Sequence, residues 1–178
     1  GVCIDTSMGF TPIEGLPMGT RCGDIDASVV GYIAQKYNFN GDQVVEFLNK
    51  KTGILGLSGV SSDMRDVNSA AENGNERAKM IVPILAYKIK KYIGAYTAAM
   101  NGVDAIAFTA GLGENNAMVR GKILSHFGYL GVKVDDARNE KAAGVESVIS
   151  ADDSKVICLA VPTNEELAIC RETVALVK

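Results

Sequence analysis

An apolar run from Val103 to Phe108 stops at Thr109-Ala110-Gly111-Leu112-Gly113-Glu114-Asn115, and a helical pattern follows from Asn115 to Phe127. That order reads as a strand, a tight glycine turn and a helix start, which confines this part of the chain to an α/β layer. The N–H groups at a helix start have no partners within the helix and point outward, so they attract anions. Gly111 and Gly113 carry no Cβ, so a bulky ligand can come close to the main chain. A phosphorylated ligand fits such a turn. Close packing of helix on strand asks for the same residues. The third glycine of a dinucleotide fingerprint and the Lys-Ser/Thr ending of a P-loop are both missing.

The rest of the pattern fits one α/β domain with a helical insertion. Strands are expected at Val2–Thr6, Ala105–Phe108, Val132–Val134, Val145–Ile149 and Val156–Val161. Helices are expected over Ser28–Tyr37, whose apolar Val29, Ile33 and Tyr37 recur at helical spacing, and over Gln43–Lys51, with Val44, Phe47 and Leu48 on one face. A long helical pattern runs from Asn75 to Met100, with Met80, Ile84, Ala86, Tyr87, Ile89 and Ile93 as apolar positions. Pro83 removes one backbone hydrogen bond there. Gly128 closes the helix after the glycine turn, and a capping-box-like Thr163-Asn164-Glu165-Glu166 opens the last one. Gly1 is followed at once by the alternating Val2-Cys3-Ile4-Asp5-Thr6, with no cap and no initiator Met. That is expected of a chain entered partway through a sheet.

Charge and cysteine usage narrow the function classes. The 178 residues carry a net charge of −3 with both signs mixed throughout, which speaks against a general nucleic-acid binder. The long apolar patterns are interrupted by Lys at helical spacing, so no membrane span is expected. Cys3, Cys22, Cys158 and Cys170 form no C-x-x-C pair. A reduced, cytoplasmic protein without a cysteine-based metal site is the expectation. The one histidine, His126, has no second histidine for a metal pair or a relay.

Three further stretches could carry chemistry. The first runs from Asp5-Thr6-Ser7-Met8-Gly9-Phe10-Thr11-Pro12 to Gly19-Thr20-Arg21-Cys22-Gly23-Asp24, a long loop of small and polar residues. Its Arg21 could place a planar fork on a phosphoryl group or simply pair with Asp24. The second is Ser61-Ser62-Asp63-Met64-Arg65-Asp66. It could cap a helix, or Asp63 could accept from ribose hydroxyls while Arg65 meets a base or phosphates. The third is Pro162-Thr163-Asn164-Glu165-Glu166, where a carboxylate at the carboxyl end of a strand is placed to meet Mg²⁺. Position alone does not choose between Glu165 and Glu166.

Taken in order, these stretches and the glycine turn closely resemble the signature of acetate kinases, over essentially the whole chain. Ala110 stands where that family usually has Gly, Leu112 where it has Ile, and Ala27 where Pro often follows Asp-Ile-Asp. The resemblance implies a ribonuclease H-like α/β domain of the sugar kinase, heat-shock protein and actin superfamily, incomplete at its amino-terminal edge. It implies reversible transfer of the ATP γ-phosphoryl to acetate, with Mg²⁺ as the metal. Arg21 would stabilise the transferring phosphoryl. Asp63, Met64 and Arg65 would lie at the nucleotide. Gly111, Leu112, Gly113, Glu114 and Asn115 would hold its adenosine side, and Glu165 would be the metal-associated carboxylate. In that family the acetate pocket and the catalytic histidines belong to an amino-terminal half absent from this sequence. The 178-residue chain is therefore expected to be inactive alone and to take part in a homodimer. Propionate or butyrate kinase of the same family, or a non-catalytic nucleotide-binding or dimerisation module, are the alternatives.

Overall fold

A computed structural model describes residues 2–177; Gly1 and Lys178 lie outside the described residues. The chain divides into two units, residues 1–100 and 101–178.

The first unit is helical. Helices α1 (Ala27–Tyr37) and α2 (Gly41–Lys50) pack through Ile33, Val44 and Leu48, with Cys22, Phe39 and Phe47 against them. Asp26 caps α1 by accepting from Ser28 N–H, and Asn40 with Gln43 forms a full capping box at α2. Two short helices, α3 (Gly53–Ser58) and α4 (Met64–Glu72), pack on α5 (Glu76–Ala99). Burial of an aliphatic side chain is worth about 2 kcal/mol, and α5 buries Ile81, Val82 and Leu85. Arg77 joins α5 to α3 by donating to the carbonyls of Leu57 and Gly56 at 2.9 and 2.6 Å.

The apolar pattern of α5 resolves into one buried face, and one expected strand of this unit does not form. The buried stripe of α5 is Ala78, Ile81, Val82, Leu85 and Ala86, whereas Met80 and Tyr87 are exposed. Spacings of three and four from Ala78 define the stripe, and the apolar residues outside it meet solvent. The segment Val2–Thr6 forms no strand. Its alternation is real, but no strand among the described residues pairs with it, and extended backbone without a ladder is not a sheet.

The second unit holds the sheet, in the order β1-β3-β2. Strands β1 (Ala105–Phe108) and β3 (Ile157–Ala160) are parallel, and β2 (Ser147–Val148) runs antiparallel to β3. The expected Val145–Ile149 strand is short because its backbone changes partner. Ile149 N–H still donates to Cys158 O, but Ile149 O accepts from Asp135 N–H, and Ser150 pairs with Val134 as an isolated bridge. The expected strand Val132–Val134 is reduced to that bridge.

The helix after β1 begins earlier than its pattern predicts. Helix α6 (Ala110–Asn115) contains both glycines, and α7 (Ala117–Leu124) follows after a single residue. Asn116 separates them and caps α7 by accepting from Val119 N–H. A short 3-10 turn, Gly128–Leu130, ends at Gly131, whose φ of +82° makes it the left-handed closing residue in place of Gly128. Helix α8 (Asp136–Lys141) has no apolar stripe to announce it, and α9 (Glu165–Val177) ends the described chain.

Candidate functional site

The loop carrying Arg21 is built from backbone. The N–H groups of Thr52, Ile54 and Leu55 donate to the carbonyls of Thr20, Met18 and Gly19 at 3.1, 2.9 and 2.9 Å. Loop carbonyls thus do for α3 what a capping side chain does elsewhere. Gly53 is required here: its φ is +60°, and a Cβ would sit 2.2 Å from Met18 O and 2.6 Å from Arg21 O.

The Arg21 side chain is half-buried, and its hydrogen bond is to Met18 Sδ at 3.7 Å. Among the described residues no ion pair includes it. Asp24 is engaged with Tyr92, Lys88 and Gly15, so the anticipated Arg21–Asp24 pairing does not form. Arg21 lines an open recess of about 570 Å³ with Thr20, Asp42, Glu46 and Asn49.

The second stretch abuts this loop: a Cβ on Gly19 would meet Ser62 O at 3.2 Å. Asp63 caps α4, accepting from Arg65 N–H at 2.8 Å. The Arg65 guanidinium closes on the same carboxylate, Nη2 to Oδ2 at 2.6 Å. Arg65, through its side chain and then its backbone N–H, holds the Asp63 carboxyl down at about 2. Met64 is half-buried, as the first residue of α4. The capping alternative is therefore realised in structure.

In the second unit, the glycine motif and the start of α9 come together. Glu114 accepts from Thr163 N–H at 2.7 Å and from its hydroxyl at 2.8 Å, and Thr163 Oγ1 accepts from Ala110 N–H at 3.1 Å. The backbone and hydroxyl donors of Thr163 hold the Glu114 carboxyl below its ordinary range. Thr163 is thus spent on α6, and Asn164 caps α9 instead, accepting from Leu167 N–H at 3.0 Å. This corrects the expected capping box.

The two glycines differ. A Cβ on Gly113 would lie 3.2 Å from the Phe108 carbonyl carbon, whereas one on Gly111 would meet nothing within 4 Å. Gly113 serves close packing; Gly111 leaves its surface open. Leu112 is half-buried, and Asn115 turns its amide onto Gly111 O at 3.2 Å. Ala110 has φ +58°, a left-handed conformation that strains any residue with a Cβ.

Sequence reasoning missed Arg120. It is almost completely buried and has no carboxylate partner among the described residues. Its Nη1 donates to Gly113 O and Glu114 O at 2.8 Å each, and Nε and Nη2 donate to Asn139 Oδ1 and O at 2.8 and 2.6 Å. Burial lowers its pKa from the ordinary value. The signal was present: Arg120 stands one turn before Leu124 on the buried face of α7.

Glu165 and Glu166 are both exposed in the first turn of α9. No group of three or more His, Cys, Asp or Glu among the described residues could cage a metal. That donor set still fits Mg²⁺, which is commonly held by one or two carboxylates with water and substrate phosphates completing the shell. Cys158 is buried, and desolvation pushes its thiol up to about 11, which makes it an inert core residue. His126 shares a hydrogen bond with Ser125 Oγ. No helix is long and apolar enough to cross a membrane among the described residues.

Comparison with known proteins agrees with this architecture. The acetate kinase from Agathobacter rectalis is 60% identical over 177 residues, which is 99% of this chain and 45% of that protein. The crystal structure of Porphyromonas gingivalis acetate kinase superposes with a TM-score of 0.91 at 45% identity, covering 97% of this chain and 43% of that one. A propionate kinase from Francisella tularensis superposes at 0.83 with 38% identity, covering 93% of this chain and 42% of that one. The chain spans about 45% of the length of the curated relatives it matches. The mixed α/β fold is the actin-like fold of these kinases. Residues 1–171 match the acetokinase family profile, and on that match the chain belongs to the acetokinase family of phosphotransferases.

Proposed function

We propose that this chain supplies the carboxyl-terminal, nucleotide-binding part of an enzyme that reversibly transfers the ATP γ-phosphoryl to acetate, giving acetyl phosphate and ADP. The family match over residues 1–171 carries the reading. The half-buried Arg21, whose one hydrogen bond among the described residues is to a thioether, supports it, because its remaining N–H donors are open to an anion.

Transfer to a carboxylate brings two anions together, so catalysis here is positioning and charge neutralisation. Arg21 offsets the charge on the transferring phosphoryl. By analogy with arginine fingers this is worth about 4–7 kcal/mol of barrier. Asp63, Met64 and Arg65 meet the nucleotide, and Gly111 to Asn115 hold its adenosine side. Glu165 is the carboxylate that would hold Mg²⁺, with Glu166 as its neighbour; the bound ion supplies charge neutralisation at the phosphates. Glu114 acts through structure, fixing the approach of α9 to α6.

Because the relatives are about twice as long, the acetate pocket is assigned to the part of them that this chain does not span. The isolated 178-residue chain is proposed to have no turnover. The family-length enzyme is proposed to work as a cytoplasmic homodimer, with α5 as a candidate surface. Light scattering after size exclusion tests the dimer.

The likeness to a propionate kinase favours a second reading within the same chemistry, a longer acyl acceptor. A panel of acetate, propionate and butyrate with ATP and Mg²⁺, run on a family-length enzyme carrying this sequence, decides between them. Failure to phosphorylate any of the three would refute both. A non-catalytic nucleotide module is the remaining alternative. Turnover unaffected by Arg21→Ala would favour it.

A further inference from the structure

Asp24 has no role in the chemistry above, yet it is among the most heavily bonded carboxylates of the first unit. Its Oδ1 accepts from Gly15 N–H at 3.0 Å, while its own N–H donates to Gly15 O at 3.0 Å. The two ends of the Arg21 loop are thereby clasped. They are also in direct contact: Gly23 has φ +70°, and a Cβ there would lie 2.6 Å from Gly15 O. The clasp is in turn anchored to α5. The Tyr92 hydroxyl donates to Asp24, 2.9 Å from Oδ1 and 2.8 Å from Oδ2, and Lys88 Nζ stands 3.6 Å away. Burial, and then the hydrogen bond to Asp24, push Tyr92 up to about 12, so its proton stays in place near neutral pH.

The guanidinium of Arg21 has one weak tether of its own, to Met18 Sδ, so its aim is inherited from the loop backbone. That backbone is fixed from two sides. On one side are the N–H groups at the start of α3. On the other is the Asp24 clasp, in which the Asp24 carboxylate ties Gly15 N–H to the Tyr92 hydroxyl. A group that neutralises charge in a transition state must be held to a fraction of an ångström.

We propose that Tyr92 and Asp24 are positioning residues for Arg21: the Tyr92–Asp24–Gly15 clasp sets the loop geometry that aims the guanidinium at the transferring phosphoryl. The inference rests on the assignment of Arg21 made above. It concerns a hydroxyl on α5, 71 residues along the chain from the arginine it serves.

The test uses a family-length enzyme carrying this sequence. Tyr92→Phe removes one oxygen and keeps the ring. The expected result is a fall in kcat of about tenfold with nucleotide KM changed by less than about twofold. The melting temperature should stay within about 2 °C of the parent. In an Arg21→Lys background, where the planar fork is already lost, the same substitution should cost less than about twofold. An unchanged kcat in Tyr92→Phe, or an equal tenfold loss in the Arg21→Lys background, overturns the positioning role and leaves the Arg21 assignment standing. A wild-type kcat in Arg21→Lys alone overturns the Arg21 assignment first. If Tyr92→Phe does not fold, Asp24→Asn is read by the same criteria, since it keeps an acceptor for Gly15 and weakens the bond from Tyr92.

Discussion

Two arginines, one in each unit, are handled in opposite ways. Arg120 donates to four acceptors and is sealed from solvent. Arg21 is held by a rigid loop, yet its side chain lines an open recess and its one hydrogen bond among the described residues is to a thioether. A buried cation held by four acceptors specifies structure. A cation held in position and left without an anion is available to a ligand. The contrast separates the group that shapes the glycine helix from the group assigned to the phosphoryl.

The largest effect that would break this contrast is kinetic. In the family-length enzyme, Arg21→Ala should lower kcat by about a thousandfold or more. Its urea-unfolding free energy should stay within about 0.5 kcal/mol of the parent. Arg120→Met should do the reverse in kind. It strands the carbonyls of Gly113, Glu114 and Asn139, and unfolding should become easier by about 3 kcal/mol. Equal stability losses in the two variants would erase the distinction.

The glycines offer a finer version. Gly113→Ala pushes a Cβ against Phe108 backbone and should cost about 1–2 kcal/mol of stability. Gly111→Ala faces open space and should not destabilise, while raising nucleotide KM by about fivefold or more if the ligand needs that approach. Ala110→Gly relieves a left-handed φ and should stabilise by about 1 kcal/mol, read by thermal melting.

Asp63 gives the smallest effect. Its folded carboxyl, at about 2, lies below the ordinary value of 3.8, so its contribution is present above pH 4 and lost as pH falls toward 2. Urea titrations between pH 5 and 2 should show less acid destabilisation in Asp63→Asn than in the parent.

Local signals were legible in the sequence where local physics decides. Val44 and Leu48 were placed correctly because a four-residue spacing on an amphipathic helix leaves little choice. The strand expected at Ala105–Phe108 forms with those bounds, since Thr109 and the glycines after it end the apolar run. Decisions made over distance were hidden. The Thr163–Glu114 contact joins residues 49 apart in sequence, so Thr163 looked like a cap when it is a strut. In α5 the apolar residues outnumber those its neighbours can cover, and which stripe is buried is decided by α3 and α4. The candidate site residues stand out in the sequence as motifs. What each one touches, above all the absence of an Arg21–Asp24 pair, needed the structure.

The central claim is that Arg21 stabilises charge that exists only during transfer. The direct measurement is calorimetry of the family-length enzyme with Mg²⁺, acetate and ADP, with and without aluminium fluoride as a mimic of the transferring phosphoryl. The account predicts that the mimic tightens ADP binding by about a hundredfold or more in the parent, and that Arg21→Ala loses this gain while keeping its affinity for ADP alone. An equal gain in both proteins would contradict it.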